Sequence, residues 1–238
     1  MTSAIRNEPV VLMPGTGSDE VFVRAVFAGP LASAGLRLIA PAPPPGEALA
    51  EGYLEELDRL AERHGSLIVG GISFGAHLAA EWAVANPGRC AGLVCALPAW
   101  SGEPGQAPAA VAARASADLV EKEGVERALR VIAEGSPAWL VDELSRAWQR
   151  AGDGLVAGLR VAAGRRAPSM EELRDVAVPV GVAGCEGDWV HPVQVARQWG
   201  EGVRRGVVRV VELAEMGRDR EVLGRASLRA FLEACGRS

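Results

Sequence analysis

One short segment of this sequence has residue types and spacing that chemistry can use: Gly71-Ile72-Ser73-Phe74-Gly75. A serine hydroxyl is a weak nucleophile until a nearby base takes its proton. The apolar run Leu67-Ile68-Val69-Gly70 stands directly before the segment, and Ala76-His77-Leu78-Ala79-Ala80 directly after it. The first reads as a buried strand and the second as the start of a helix. Glycines on both sides of the serine permit a very tight turn between them, because a side chain there would strike a neighbouring strand or helix. Such a turn holds the serine backbone under strain and lifts its hydroxyl above the sheet edge. The pentapeptide alone is a weak signal in a glycine-rich chain, and its flanks give it weight. The competing reading is a plain strand-to-helix turn.

A serine nucleophile needs a base, and histidine is the side chain best poised for that near neutral pH. The chain has 3 histidines. His64 precedes Gly65 at the end of a helical pattern, where positive charge is favourable, and reads as structural. His77 lies one helical turn after Ser73 and reads first as helix packing, with catalysis the lesser alternative. His191 belongs to Cys185-Glu186-Gly187-Asp188-Trp189-Val190-His191-Pro192. Its nearness to Asp188 lets a carboxylate orient the ring. The bland reading is a loop histidine bonded to Asp188.

The elements that must position these residues alternate. Val10–Met13, Leu36–Ala40, Ser66–Gly70, Ala91–Leu97, Val178–Ala183 and Val207–Leu213 read as strands. Helical patterns fall between most of them. One starts after Ser18 as N-cap and stops at Gly35. Another spans Glu47–Arg63, with apolar positions at Leu49, Tyr53, Leu54, Leu57 and Leu60. Others span Phe74–Ala85, begin near Pro192, and cover about Arg220–Ala234. Strand–helix alternation implies a parallel, doubly wound α/β sheet with right-handed crossovers. From about Trp100 to Asp175 the pattern is helical only. No internal repeat is present, and 238 residues suit one domain.

At this point the chain resembles the α/β-hydrolase superfamily, from Val10 to about Cys235. The resemblance implies an α/β-hydrolase fold: an open, mostly parallel sheet with helices on both faces and a helical cap insertion at about 100–175. It implies an oxyanion loop at Pro14-Gly15-Thr16-Gly17, with the backbone N–H groups of Thr16 and Phe74 as donors. Many relatives carry His-Gly there, so Pro14 is a departure. The stretch Gly184 to Pro192 resembles the family's Gly-x-x-Asp-x-x-Val-Pro with one residue inserted. That aligns Asp188 with the acid and leaves Glu186 as the runner-up. The family histidine fails to match: Arg218 occupies its expected place, and a guanidinium stays protonated and cannot act as a base. His191 stands where relatives have the valine of Val-Pro, a side chain that commonly lines the cleft. The resemblance therefore implies an atypical set of Ser73, Asp188 and His191. Trp100, Trp139 and Trp148 fall in or beside the insertion and could wall an acyl pocket, although helix-spaced aromatics are more often core. Trp189 is expected to border the cleft, and Arg218 to meet an acidic neighbour or an anionic substrate group.

Composition narrows the classes. Hydrophobic residues make up 49% and aromatics only 5%, so Ala, Val and Leu carry the packing. Formal net charge is -5 with no basic run, which argues against nucleic acid or an anionic membrane as partner. The start of the chain, Met1 to Pro9, shows no apolar leader-like segment, and no apolar run is long enough to span a bilayer. The 4 cysteines have neither metal-ligand spacing nor a disulfide framework, which favours a cytoplasmic location. The richness in Gly, Ala and Arg resembles that of proteins from GC-rich bacterial genomes. No cofactor or metal is expected, and a homo-oligomer is left open.

Two functions follow. The first is a serine hydrolase acting on a small ester or thioester by acyl transfer. The second is a non-hydrolytic protein of the same fold, using its pocket for binding or for lyase or isomerase chemistry. Because Arg218 cannot move a proton, Arg218→Ala is not expected to abolish turnover under either reading. A selective collapse of kcat in that variant, with the fold intact, would contradict this.

Overall fold

The computed structural model describes residues 8–236. Met1–Asn7, most of the segment read above as lacking a leader, lies outside the described residues. The strands are β1 (Val10–Met13), β2 (Leu38–Ile39), β3 (Leu67–Ile72), β4 (Cys90–Ala96), β5 (Val180–Glu186) and β6 (Gly206–Glu212). They form one parallel sheet in the order β2-β1-β3-β4-β5-β6. The order reverses between β1 and β3. In open α/β sheets the crevice beyond the strand C-termini at such a reversal is where ligands bind.

Helices cover both faces: α1 (Glu20–Ser33), α2 (Leu49–His64), α3 (Phe74–Ala85), α9 (Val193–Gly202) and α11 (Glu221–Gly236). The strands are buried on both sides, so they read as unbroken apolar runs whose alternate residues feed two separate cores. Val11, Met13, Leu67, Val69, Val180 and Val182 pack with Tyr53, Leu57, Leu78 and Trp199 under α2, α3 and α9. Val10, Leu12, Ile68 and Ile72 pack with Val23, Phe27 and Phe231 under α1 and α11.

Between β4 and β5 the chain is helical: α4 (Pro108–Glu123), α5 (Val125–Ala133), α6 (Ala138–Ala151), α7 (Leu155–Gly164) and α8 (Met170–Arg174). This insertion has its own small core, built on Ala117, Val120, Leu129, Trp148, Leu155 and Leu159. It meets the body at the loop after β1, where Trp148 and Leu159 lie against Gly17. Two ion pairs hold it there, Arg146–Asp19 at 2.7 Å and Arg150–Glu20 at 2.6 Å. A short helix α10 (Leu213–Arg218) follows β6. No helix among the described residues is long and apolar enough to cross a membrane.

Several boundaries differ from the sequence expectation for physical reasons. The N-cap of α1 is Asp19, not Ser18: the Asp19 carboxylate accepts from the N–H groups of Val21 and Phe22 at 3.1 and 3.2 Å. An ionised acceptor makes the stronger cap, and Ser18 instead closes a turn through its N–H to the Gly15 carbonyl. Strand β3 runs on through Gly71 and Ile72, because both still pair with Cys95 and Ala96 of β4. Strand β5 likewise reaches Glu186, which pairs with Glu212. Strand β2 is reduced to the two residues that pair with Val10 and Val11.

Close backbone approach fixes the junction of β1, β3 and α3. A Cβ on Gly75 would lie 2.3 Å from the Met13 carbonyl oxygen and 2.7 Å from that of Pro14. A Cβ on Gly71 would also meet the Met13 oxygen at 2.3 Å. Gly75→Ala is therefore expected to destabilise the protein by about 2 kcal/mol or more, as backbone atoms cannot swing aside. Gly88→Ala, with nothing within 4 Å, serves as the near-neutral control. Urea unfolding that found the two variants alike would refute this account of the junction.

Candidate active site

Ser73 sits between β3 and α3 with φ 52° and ψ −112°, a backbone conformation that residues with a side chain rarely adopt. Two hydrogen bonds hold it there: its N–H donates to the Ala96 carbonyl at 2.8 Å, and its carbonyl accepts from the His77 N–H at 3.1 Å. The hydroxyl is thereby aimed beyond the C-terminal edge of the sheet. Gly15 abuts it from the β1 side, where an added Cβ would lie 3.4 Å from the Ser73 Cβ. Phe74 is the first residue of α3. Its N–H is one of the helix N-terminal donors that have no intrahelical acceptor.

The loop after β5 brings Asp188 and His191 to the same place. His191 Nε2 lies 3.0 Å from Ser73 Oγ, and His191 Nδ1 lies 2.7 Å from Asp188 Oδ2. The other carboxylate oxygen of Asp188 accepts the N–H groups of Val190 and His191, at 2.8 and 3.2 Å. Burial opposes ionisation of Asp188. The hydrogen bond and charge of His191, with the two backbone N–H groups, outweigh burial and hold the carboxyl below the usual range. An ionised carboxylate only accepts, so His191 Nδ1 carries the proton. In the neutral ring Nε2 then has a lone pair toward the Ser73 hydroxyl. Glu186 does not compete for the ring, because it pairs with Arg197 at 2.7 Å.

The second histidine near the serine is chemically silent. His77 Nε2 accepts the N–H groups of Ala99 and Trp100, at 3.0 and 3.4 Å. Its ring packs edge-on against Trp100, with centroids 4.4 Å apart. Burial first, and the nearby His191 second, push its pKa down to about 3. His64 ends α2 on its last turn. The cysteines are free thiols in the interior. Burial raises Cys95 far above its ordinary value, so it offers no thiolate nucleophile.

The tryptophans in or beside the insertion pack against other side chains and backbone, as helix-spaced aromatics more often do. Trp189 is 70% exposed and stands out from the loop that carries Asp188 and His191. Trp100 is buried against His77. Trp139 stacks on Phe22 and lies beneath Arg220. Trp148 packs against Gly17. None of these four lines the cavity of about 160 Å³ that opens beside the β1 loop. Arg218 ends α10 and makes no ion pair among the described residues; the neighbouring Asp219 is taken by Arg225.

The cavity is what sequence reasoning missed. Its walls come from the β1 loop, the Pro43-Pro44-Pro45 loop, α2, Phe74 and the insertion helices α6 and α7. Tyr53, the single tyrosine of the chain, reaches it from α2. On the sequence Tyr53 was indistinguishable from the other helix-spaced core positions.

Neither a family model nor a curated protein sequence matches the chain. Solved structures do. Rv0554 from Mycobacterium tuberculosis matches with a TM-score of 0.72 at 19% identity, over 95% of this chain and 90% of that one. A thermophilic esterase from Thermogutta terrifontis gives 0.69 at 18% identity, over 97% and 88%. MenH from S. aureus gives 0.69 at 15% identity, over 97% and 92%. At these identities the likeness shows the fold, and this chain has the α/β-hydrolase fold.

The buried neutral state of His77 has a measurable consequence. An unfolded histidine takes up its proton near pH ~6.5, whereas His77 in the fold resists until about 3. Between those values the unfolded chain binds one more proton. The stability contributed by the neutral ring is therefore complete above pH ~6.5 and drains away as pH falls toward 3. His77→Gln, which keeps an acceptor for Ala99, is expected to flatten the pH dependence of unfolding free energy by up to about 1.4 kcal/mol per pH unit across that window. An unchanged slope would mean that the ring is not held neutral.

Proposed function

We propose that this protein is a serine hydrolase of small carboxylic esters or thioesters, with Ser73 as nucleophile, His191 as general base and Asp188 as the group that orients and supports His191. One observation carries the reading: the unbroken relay of 3.0 Å from Ser73 Oγ to His191 Nε2 and 2.7 Å from His191 Nδ1 to Asp188 Oδ2. A histidine in that position has its proton-accepting nitrogen on the serine and its proton-bearing nitrogen on the carboxylate, as acyl transfer requires.

The steps follow from the residues. Ser73 Oγ attacks the acyl carbon as its proton passes to His191 Nε2. The carbonyl oxygen becomes an oxyanion. The Phe74 N–H at the positive end of α3, and the Thr16 N–H of the β1 loop, are the donors assigned to it. The charged imidazolium, stabilised by Asp188, then protonates the departing alkoxide or thiolate, leaving Ser73 acylated. Water enters, gives a proton to His191 and attacks the acyl-enzyme. Collapse of the second oxyanion returns the proton to Ser73 and frees the acid. Arg218 has no part in these steps.

A fluorophosphonate probe tests the reading without a known substrate. The wild-type protein is expected to be labelled at Ser73, and Ser73→Ala and His191→Ala to lose labelling. With an activated ester, each single variant should lose at least about 10³-fold in kcat, and the double variant little more, because residues acting as a unit are non-additive. Asp188→Asn should cost about 10²- to 10⁴-fold by favouring the wrong tautomer. Full activity in His191→Ala would discard the assignment. No labelling of the wild type would discard the hydrolase reading and favour a non-hydrolytic use of the pocket.

A further inference from the structure

The cavity beside the β1 loop holds a polar group without a partner. Tyr53 is 1% exposed and lines the cavity, and its hydroxyl finds no hydrogen-bond partner among the described residues. Buried hydroxyls in folded proteins are almost always satisfied, and leaving one unpaired is costly. A group entering the cavity is the natural acceptor for it.

The location ties the cavity to Ser73. Gly15 and Phe74 wall it, and the same two residues flank the serine. An acyl group whose carbonyl carbon is held at Ser73 Oγ, with its oxygen on the Phe74 N–H, has this space beside it. The size sets its length. The cavity measures about 160 Å³, and a protein cavity of about 150 Å³ holds a molecule of benzene, so roughly six non-hydrogen atoms fit. The walls are otherwise mainly apolar, with Pro44, Leu155 and Leu159 among them.

Charge decides what kind of oxygen can pair with Tyr53. Burial, and then the carboxylates of Glu20 and Asp19, keep the phenol protonated, so it is able to donate. The nearby guanidinium groups are already engaged: Arg146 by Asp19 and Glu143, and Arg150 by Glu20. Three carboxylates against two guanidinium groups leave no attraction for an anionic ligand. A neutral acceptor satisfies the hydroxyl without that penalty.

We infer that this cavity takes the acyl group of a short ester or thioester that carries a second, neutral oxygen, a ketone, hydroxyl or ether, which accepts a hydrogen bond from Tyr53. This rests on the hydrolase reading above and names its substrate class. A plain alkyl chain of equal length fills the space but leaves the phenol unpaired, and displacing water from it without replacing the hydrogen bond lowers affinity. Tyr53 is thus a specificity residue, remote from the bonds made and broken.

The experiment compares nitrophenyl esters of acetate, butyrate, 3-hydroxybutyrate, 3-oxobutyrate and 4-oxopentanoate on wild type, Tyr53→Phe and Gly158→Leu, with fluorophosphonate labelling run on all three. At least one oxygenated ester is expected to exceed butyrate at least tenfold in kcat/KM on the wild type, after correction for its spontaneous hydrolysis. Tyr53→Phe, nearly isosteric, should collapse that ratio toward one while its melting temperature does not fall. Gly158→Leu projects into the cavity from α7, where an added Cβ finds only ordinary contacts at 3.6 Å and beyond. It should lower the ratio of butyrate to acetate turnover at least fivefold. Labelling at Ser73 with no oxygen preference, or a Tyr53→Phe effect equal on all esters, would overturn the inference and leave the hydrolase reading standing. Absence of labelling in the wild type would fail that reading, and the inference would fall with it.

Discussion

The site depends on one backbone constraint, the conformation of Ser73 at φ 52° and ψ −112°. Left to itself, a serine would leave that region at a gain on the order of 1–3 kcal/mol. It stays because everything around it is already committed. Its N–H is bonded to the end of β4 through Ala96. The carbonyl of Met13, at the end of β1, presses into the space where Gly71 and Gly75 lack side chains. Relaxing Ser73 would break a hydrogen bond and drive backbone into backbone. The same contacts bring Gly15 against the serine, so the turn that strains Ser73 also places the β1 loop beside it. Strain and proximity are two consequences of one close packing between β1, β3 and α3.

Where the imidazole comes from is the second constraint. The sequence puts a guanidinium after β6 at Arg218, and the ring near Ser73 arrives instead from the loop after β5. That loop is unusually self-contained. Asp188 receives two backbone N–H groups of its own loop on one oxygen and the His191 ring on the other. One carboxylate therefore fixes both the path of the chain and the orientation of the imidazole. Pro192 follows at once as the N-cap of α9. Val193 and Ala196 of that helix close over Gly184 of β5, where any side chain would clash. Asp188 and His191 are thus anchored from below by a strand and from behind by a helix, without help from the end of β6.

Much of this could be read from the chain, and the reasons are local. The turn at Ser73 was legible because strand, glycine spacing and helix are contiguous in sequence and each has its own signature. The insertion was legible as a loss of strand pattern after Leu97. The parallel sheet followed from the alternation of strand and helix patterns along the chain. What stayed hidden depends on contacts between distant segments. Ser18 and Asp19 are both good N-caps, and the choice between them involves Arg146, 127 positions away. Tyr53 occupies a core position of an amphipathic helix, and the cavity it lines is walled in part by α6 and α7, which lie far along the chain. The tryptophans show the converse limit: their place in or beside the insertion made them candidates for a pocket wall, but Trp100 is spent on His77 and Trp139 on Phe22 and Arg220.

Asp19 joins the body to the insertion directly after the β1 loop, whose Gly15 abuts Ser73. It is nearly fully buried and caps α1, which begins directly after the β1 loop. Burial alone would favour its neutral form. The hydrogen bonds from Arg146 and from the N–H groups of Phe22 and Val21, with the charge of Arg146, keep it ionised instead. The pair adds little net stability, because desolvating the Asp19 carboxylate offsets much of its attraction to the partly exposed Arg146. Its effect is on position. Nε of Arg146 reaches one carboxylate oxygen at 3.1 Å and Nη2 the other at 2.7 Å, a two-point clamp that fixes direction as well as distance. Helix α6 is thereby set at one register over the β1 loop, and Trp148 of the same helix is seated on Gly17, where no residue larger than glycine fits. The cavity's shape follows from that register. A shift of α6 by one turn toward its C-terminus would put Ala147 where Ala151 now lies and Glu143, a larger and charged residue, in the wall position of Ala147. The insertion is therefore not a loose cover: its seating on Asp19 and Gly17 sets the shape of the cavity that Gly15 and Phe74 also wall.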